Sequence, residues 1–464
     1  MDWCDRAYEG KLPTSVTDRF ISVTMPSSQG TSQLKNPLYR YDFARGERNQ
    51  FSDTKFKSWS YTTRAPVNAL GTGNPISNNA EVSNSMMSSF STRCQTTFNL
   101  LSMRDFTSFS SQLEKVHDGI HLTIGGQNGG HMKIFSVAAF DPIFLLHHVQ
   151  VDRLTAMYQA THPRNRFGSV PAVATYGRVI KGKNETDNLD TPLFPFRKRD
   201  GTMYTSRDFF PQRSPGIWEL GYGYPEIPCN SGGQNYNELS TKVGIAARQL
   251  YGPISTPTKR RRAAESLHEA LPEPGPTKQC ACDREVGLVR AEYNLRFFID
   301  HSEIPGPWAC HIFFGTVPDK PADHWTSPNR CGIFASFAAP GDHARSMPFT
   351  YDLAITDKLL ELGVEQTEAA VTAYLRKNLN YSITSQKGCI IDLATLRTFK
   401  VGVCTRQGTY GKQGSGRLPS FGDCRLLLRV TEQKPAGCTN EKELDEPTLL
   451  DGTLVNLLQK LETY

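Results

Sequence analysis

The sequence predicts a mainly α N-terminal domain with long loops, joined by a linker to a β-rich C-terminal domain. Three observations predict it. Two long segments, Arg104 to Ile124 and Pro142 to Thr161, repeat their apolar residues at helical intervals. Later segments, such as Tyr293 to Phe297 and Cys310 to Phe314, are short and read as strands. Between these regions lies a stretch rich in Pro, Gly and basic residues, almost without large apolar side chains.

The first 100 residues are rich in Ser, Thr, Asn and Pro. Apolar runs there, such as Phe20-Ile21-Ser22-Val23, are too brief for helices, so long loops with short strands are expected. The first clear helix carries Phe106, Phe109, Leu113, Val116 and Ile120 along one stripe and ends at Gly125-Gly126. A Gly-rich loop follows, to Gly130. The second helix starts at Asp141-Pro142, with Asp as cap and Pro in the first turn, and stops before His162-Pro163. The expected divisions are a domain over 1–252, a linker over 253–279, a β-rich domain over 280–430 and a tail over 431–464. Helical periodicity is expected within 350–379, strands at 389–404 and 424–430, and a short amphipathic helix in the last 18 residues.

Composition excludes several classes. Charged residues make up 21% and hydrophobic residues 38% of the 464, which is a globular rather than a disordered balance. Four of the six net positive charges sit in the run Lys259 to Arg262, so no basic face for nucleic acid is expected. No run of 18 apolar residues occurs, so no membrane-spanning helix is expected. The opening MDWCDRAYEGKLPTS lacks a basic start with an apolar run, so no signal peptide is visible and a cytoplasmic location is favoured. Eleven scattered cysteines suit a reducing compartment better than a disulfide scaffold.

The chemistry gathers in the histidines. None of the eleven precedes residue 117, yet five fall within 117–148. His117 and His121 stand at i and i+4 on the first helix, at the border of its buried stripe, with Glu114 on the same side. His147 and His148 stand on the second helix, about 100° apart, so only one of them can join the same metal. Asp152, four residues beyond His148, is placed to steady a ligand ring. Three neutral imidazoles suit Zn, Cu, Fe or Ni and leave open positions, as a catalytic site requires. His131 and His162 read as structural.

The runs LEKVHDGIH (113–121), Gly130-His131-Met132 and FDPIFLLHHVQVDRL (140–154) resemble the second copper half-site, CuB, of fungal tyrosinases. Asn36-Pro37-Leu38-Tyr39 with Tyr41 and Phe43 is similar to a stretch upstream of that motif. Tyr222-Gly223-Tyr224 is similar to the signature closing the family's catalytic domain, and residues 290–430 resemble its C-terminal domain. The resemblance implies a helical-bundle type-3 copper core covered by a β-rich lid. It implies copper ligands at His117, His121 and His148, with His147 as their neighbour. It places Glu114 where an acid holds a water near copper, and Phe135 where relatives carry a gate over the metal. Asp118 stands where many tyrosinases have an Asn that helps deprotonate the phenol. The implied substrates are phenols and O2. The implied activity is hydroxylation of monophenols to o-diphenols and their oxidation to o-quinones, the precursors of melanin. One lid aromatic is expected in the substrate pocket, either Phe334 or Phe337.

The sequence departs from the family at its front. Members use two coppers, each held by three histidines, because reducing dioxygen takes two electrons and each cuprous ion gives one. Here no histidine precedes His117. Asp2-Trp3 resembles the end of a Y-W-D-W stretch that follows the first half-site, CuA. The chain is therefore expected to begin beyond that half-site, to hold one copper and to show little or no oxidase activity. Asp118 leaves open catechol oxidation without monophenol hydroxylation. A non-catalytic copper-binding relic is a further alternative. A zinc hydrolase is another, since His117-Asp118-x-x-His121 is superficially like H-E-x-x-H, although Asp is a methylene shorter than the Glu of that motif. Lys259 to Arg262 offers a maturation protease a cleavage site that would free the lid. Cys280-Ala281-Cys282 is similar in kind to a copper-delivering cysteine pair. Asn184 and Asn380 open sequons.

Overall fold

The apolar stripe that begins at Phe106 winds into the helix that organises the N-terminal domain. The computed structural model describes residues 1–26, 30–68, 75–172, 185–210, 222–227, 236–253, 286–337, 348–412 and 414–444. Within them the domain is built on α1 (Asn79–Ser88), α2 (Phe90–Leu100), α3 (Phe106–Gly125), α4 (Ile143–Thr161) and α5 (Tyr236–Tyr251). Asp105 caps α3 by accepting from the Ser108 N–H at 2.8 Å. Gly126 ends it at φ 67°, where an added Cβ would lie 2.6 Å from Ala65. The Asp141 carboxylate caps α4, accepting from the Ile143 N–H at 3.1 Å, one residue inside the expected start. The same carboxylate is buried against Arg64 at 2.7 Å, and Arg64 also donates to the Val16 and Leu38 carbonyls, so the opening loops are tied to the start of α4.

The expectation of loops and short strands before residue 100 is half met. Phe20–Thr24 pairs with Thr31–Lys35 as a hairpin, but α1 and α2 lie in the same region. Sequence periodicity missed α2 because its buried face is polar. Residues from Ser91 to Leu100 are all buried, and seven of them are Ser, Thr, Gln, Asn or Arg. An apolar stripe marks a helix against an apolar core, whereas α2 packs against another domain's backbone.

That other domain holds two antiparallel sheets. Its strands are β1 (Val286–Asp300), β2 (Trp308–Phe314), β3 (Arg330–Ser336), β4 (Pro348–Ala354), β5 (Leu379–Thr384), β6 (Ile390–Ile391), β7 (Lys400–Gly411), β8 (Ser420–Phe421) and β9 (Arg425–Leu426). One sheet runs β4-β1-β7-β8, with β9 also on β7, and the other runs β6-β5-β2-β3. Phe297, Ile312, Phe334, Tyr351 and Leu353 belong to the core between them. The helical periodicity of 350–379 appears as α6 (Thr356–Glu361) and α7 (Glu368–Asn378). The expected strand at 424–430 is shorter, giving way to a helical turn at Leu428–Thr431.

β4 is an edge strand, and the N-terminal domain satisfies its open backbone. Gln112 donates to the Thr350 carbonyl and accepts from the Asp352 N–H, both at 3.0 Å, while Thr96 accepts from the Ala354 N–H at 3.0 Å. Thr92 donates to the Cys331 carbonyl at 2.6 Å, and Gln95 donates to the buried Glu292 at 2.7 Å.

Packing of the β-domain continues past the expected boundary at 430. Gly437 bridges Val401, and Cys438 and Leu444 pack on Phe298. Cys404 and Cys424 form a disulfide, a pairing that the scatter of the cysteines along the sequence did not indicate. The basic run, Cys280, Cys282, Asn184 and the tail helix lie outside the described residues. Among those described, no helix is long and apolar enough to cross a membrane.

Candidate metal centre

Helices α3 and α4 bring four imidazoles together. Ring nitrogens of His117, His121 and His147 lie within 4.8 Å of one another, and His117 Nε2 is 3.0 Å from His148 Nε2. His121 and His147 are buried, while His117 and His148 are partly open. Burial pushes the pKa of His121 and His147 well below the usual imidazole value, with the neighbouring rings adding to the effect, and burial lowers His148 as well. Neutral rings are the form that binds a metal.

The hydrogen bonds on the other side of each ring orient it. His121 Nδ1 is 2.8 Å from the Met132 carbonyl. His148 Nδ1 is 2.9 Å from the Phe144 carbonyl, one turn back along α4. His117 Nδ1 is 3.0 Å from the Asp118 carboxylate. Each of these partners accepts, so Nδ1 carries the proton and Nε2 presents a lone pair. The Nε2 atoms of His117 and His148 therefore oppose each other as two acceptors, and His121 Nε2 is buried without any hydrogen-bond partner. A cation shared by these nitrogens relieves both features, so the donor set fits a metal.

Asp118 is buried and committed to this support, with its second oxygen 3.5 Å from Lys115 Nζ. Glu114 is exposed one turn before His117, and among the described residues no hydrogen bond or ion pair joins it to the histidines. The expectation that Asp152 steadies a ligand ring is corrected. Its carboxylate accepts from the hydroxyls of Tyr222 (3.3 Å) and Tyr224. A helical side chain leans toward its own N-terminus, so His148 finds the Phe144 carbonyl behind it and turns away from Asp152. His131 lies in an aromatic box of Phe43, Phe56 and Trp59, accepts from the Thr63 N–H at 3.1 Å, and is pushed by burial to a pKa of about 4.

The β-domain closes the site. β3 lies along α3 where Gly119 leaves room, since a Cβ there would stand 3.2 Å from Ile333. Phe337, just past β3, stacks on His121 with ring centroids 4.1 Å apart and planes 14° apart. Phe334 is turned into the β-domain core, stacked on Phe297 and Tyr351. Phe135 is exposed and flanks Phe337 at 5.8 Å. Sequence reading left Phe334 and Phe337 as alternatives and missed all of the backbone acceptors, because alternation along a strand shows which face a residue takes but not what that face meets.

Residues 1–161 match the common central domain of tyrosinase, and residues 292–403 match the tyrosinase C-terminal domain. A tyrosinase of Neurospora crassa is 31% identical over 242 residues, 48% of this chain, which spans 33% of that protein's length. A tyrosinase of Podospora anserina is 25% identical over 437 residues, covering 83% of this chain and 72% of its own. Polyphenol oxidase 2 of Agaricus bisporus is 31% identical over 224 residues, 43% of this chain and 36% of that one. In structure, mushroom tyrosinase in its latent and active forms shares the fold, with a TM-score of 0.70 at 19% identity, over 92% of this chain and 75% of the other. The two family matches fall in order on the helical domain with its histidine cluster and on the β-rich domain that covers it, and the chain belongs to the tyrosinase family, alongside its fungal members.

Proposed function

We propose that this chain carries one copper site of a tyrosinase-type oxidoreductase, held by His117, His121 and His148, and that phenols and O2 are the substrates of that chemistry. The observation that carries the reading is the shared orientation of three rings, each with Nδ1 held by an acceptor and Nε2 turned inward. Copper, when bound, supplies the one-electron redox couple. The chain's residues do the rest. Met132, Phe144 and Asp118 hold the ligand rings, burial favours the neutral form of His121 and His148, and Phe337 covers the ring of His121 so that a phenol cannot lie there while the lid is seated. Asp118 is a positioning residue acting through His117, because its carboxylate is already engaged by that ring and by Lys115.

Oxidation of an o-diphenol to its quinone removes two electrons and two protons, with O2 as the acceptor. A single copper passes one electron at a time, so this chain alone is proposed to oxidise catechol slowly or not at all. Metal analysis of the copper-loaded chain tests the reading. About one copper per chain is expected, lost when His117, His121 or His148 is changed to Ala. Two tightly held coppers, or a stoichiometry indifferent to those substitutions, would overturn it. Preferential retention of zinc with ester or peptide hydrolysis would favour the hydrolase alternative. Catechol and L-DOPA oxidation, assayed with and without added copper, separates a working oxidase from a copper-binding relic.

A further inference from the structure

Adjacent histidines pose a selection problem that side-chain spacing does not solve. His147 is fully buried, stacks on His117 with centroids 5.0 Å and planes 14° apart, and has a ring nitrogen as close to His117 and His121 as a ligand would need. By position it competes with His148 for the metal. We propose that Trp3 decides the contest: its indole N–H, donated to His147 Nδ1, locks His147 in the Nε2–H form and keeps it out of the ligand set.

The argument is one of proton counting. Trp3 Nε1 lies 3.0 Å from His147 Nδ1, and an indole nitrogen can only donate. Nδ1 of His147 must therefore offer its lone pair to Trp3. A neutral imidazole has one proton, so that proton sits on Nε2, which is buried without a hydrogen-bond partner. A protonated ring nitrogen has no lone pair for a metal, and the other nitrogen is occupied. The three remaining rings face acceptors at Nδ1 and have the opposite tautomer.

Trp3 is held in place to do this. Its carbonyl accepts from Arg93 Nε and Nη2 at 3.1 and 3.0 Å. The preceding Asp2 accepts from Arg153 at 3.0 Å and from the Tyr251 hydroxyl at 2.7 Å. These contacts fix the opening segment to α2, α4 and α5.

The inference rests on the three-histidine reading, and the experiment separates the two. The metal-free full chain, with 15N-labelled histidine, is examined by long-range 1H–15N correlation, with His147→Gln used for assignment. His147 is expected to be protonated at Nε2, and His117, His121 and His148 at Nδ1. A His147 ring protonated at Nδ1 overturns the proposal. Copper titration with electron paramagnetic resonance forms the second arm. His148→Ala is expected to weaken Cu(II) binding by about tenfold or more. In Trp3→Phe/His148→Ala, His147 is free to present Nε2, so most of that loss is expected to return, with a copper spectrum that differs from the unchanged chain's. Binding no tighter than in His148→Ala alone overturns the proposal. If the unchanged chain binds no copper, the three-histidine reading fails, while the tautomer measurement still decides the role of Trp3.

Discussion

Lys133 shows how closely the lid constrains single residues. Its ammonium is completely buried, has no hydrogen-bond partner, and lies 5.6 Å from the ring centre of Trp325 in the β-domain. Burial, with a smaller contribution from Lys55, pulls its pKa down from 10.5 to about 7. The unfolded chain therefore binds this proton more strongly than the folded one. The resulting cost to stability is full below about pH 7 and fades as pH rises toward the unfolded value. Lys133→Met is expected to raise folding stability by about 1–3 kcal/mol near neutral pH, and by progressively less toward pH 10. Denaturant melts at several pH values check this, and a variant destabilised at every pH would show that the ammonium is compensated. Residues of this kind are silent in the sequence, where a lysine reads as surface. The clustered histidines were legible because each pair is spaced within a single helix. The partner of Asp152 was not, because Tyr222 and Tyr224 reach it from 70 and 72 residues away.

Among the elements, α2, α3 and β4 form the hinge of the architecture. β4 would present an unpaired edge if the N-terminal domain did not cover it. Gln112, buried on α3, uses both ends of its amide there, so Gln112→Ala leaves a carbonyl and an N–H of β4 unsatisfied at once. The expected cost is about 1–3 kcal/mol, seen as faster amide hydrogen exchange across residues 348–354 than across 308–314. Equal protection of both strands in the variant would show that the edge is held by other contacts. The same pairing explains why α3 and α4 were predictable and α2 was not. The first two show the 3.6-residue apolar period. α2 buries hydroxyls and amides that are useful only opposite a strand more than 200 residues away.

For the molecule as a whole, lid and core share one continuous contact. Leu122 of α3 packs with Ala309, Trp325 and Ala335 of the β-domain, and Gln127 receives the Trp325 indole N–H at 2.7 Å. Glu292, buried in the β-domain, binds Gln95 of the core as well as Thr356 and Tyr410. These interactions are non-covalent and join described residues on either side of the linker. Cutting the chain within Lys259 to Arg262 is therefore expected to leave the two pieces associated, co-eluting in gel filtration until mild denaturant is added, with Phe337 still over His121. Separation on cleavage alone would show that the interface is weaker than its buried hydrogen bonds imply.

The sequence by itself determined the helix pair, the histidine cluster and the β-rich second domain. Each depends on local periodicity or on spacing within one element, and the family motif lies within those same runs. The tertiary structure decided the choices between near-equivalents: Phe337 or Phe334 over His121, a tyrosine pair or a histidine as the partner of Asp152. Those choices turn on single hydrogen bonds and ring contacts between segments far apart in the chain. Such contacts depend on how the elements are packed together, which no local pattern records.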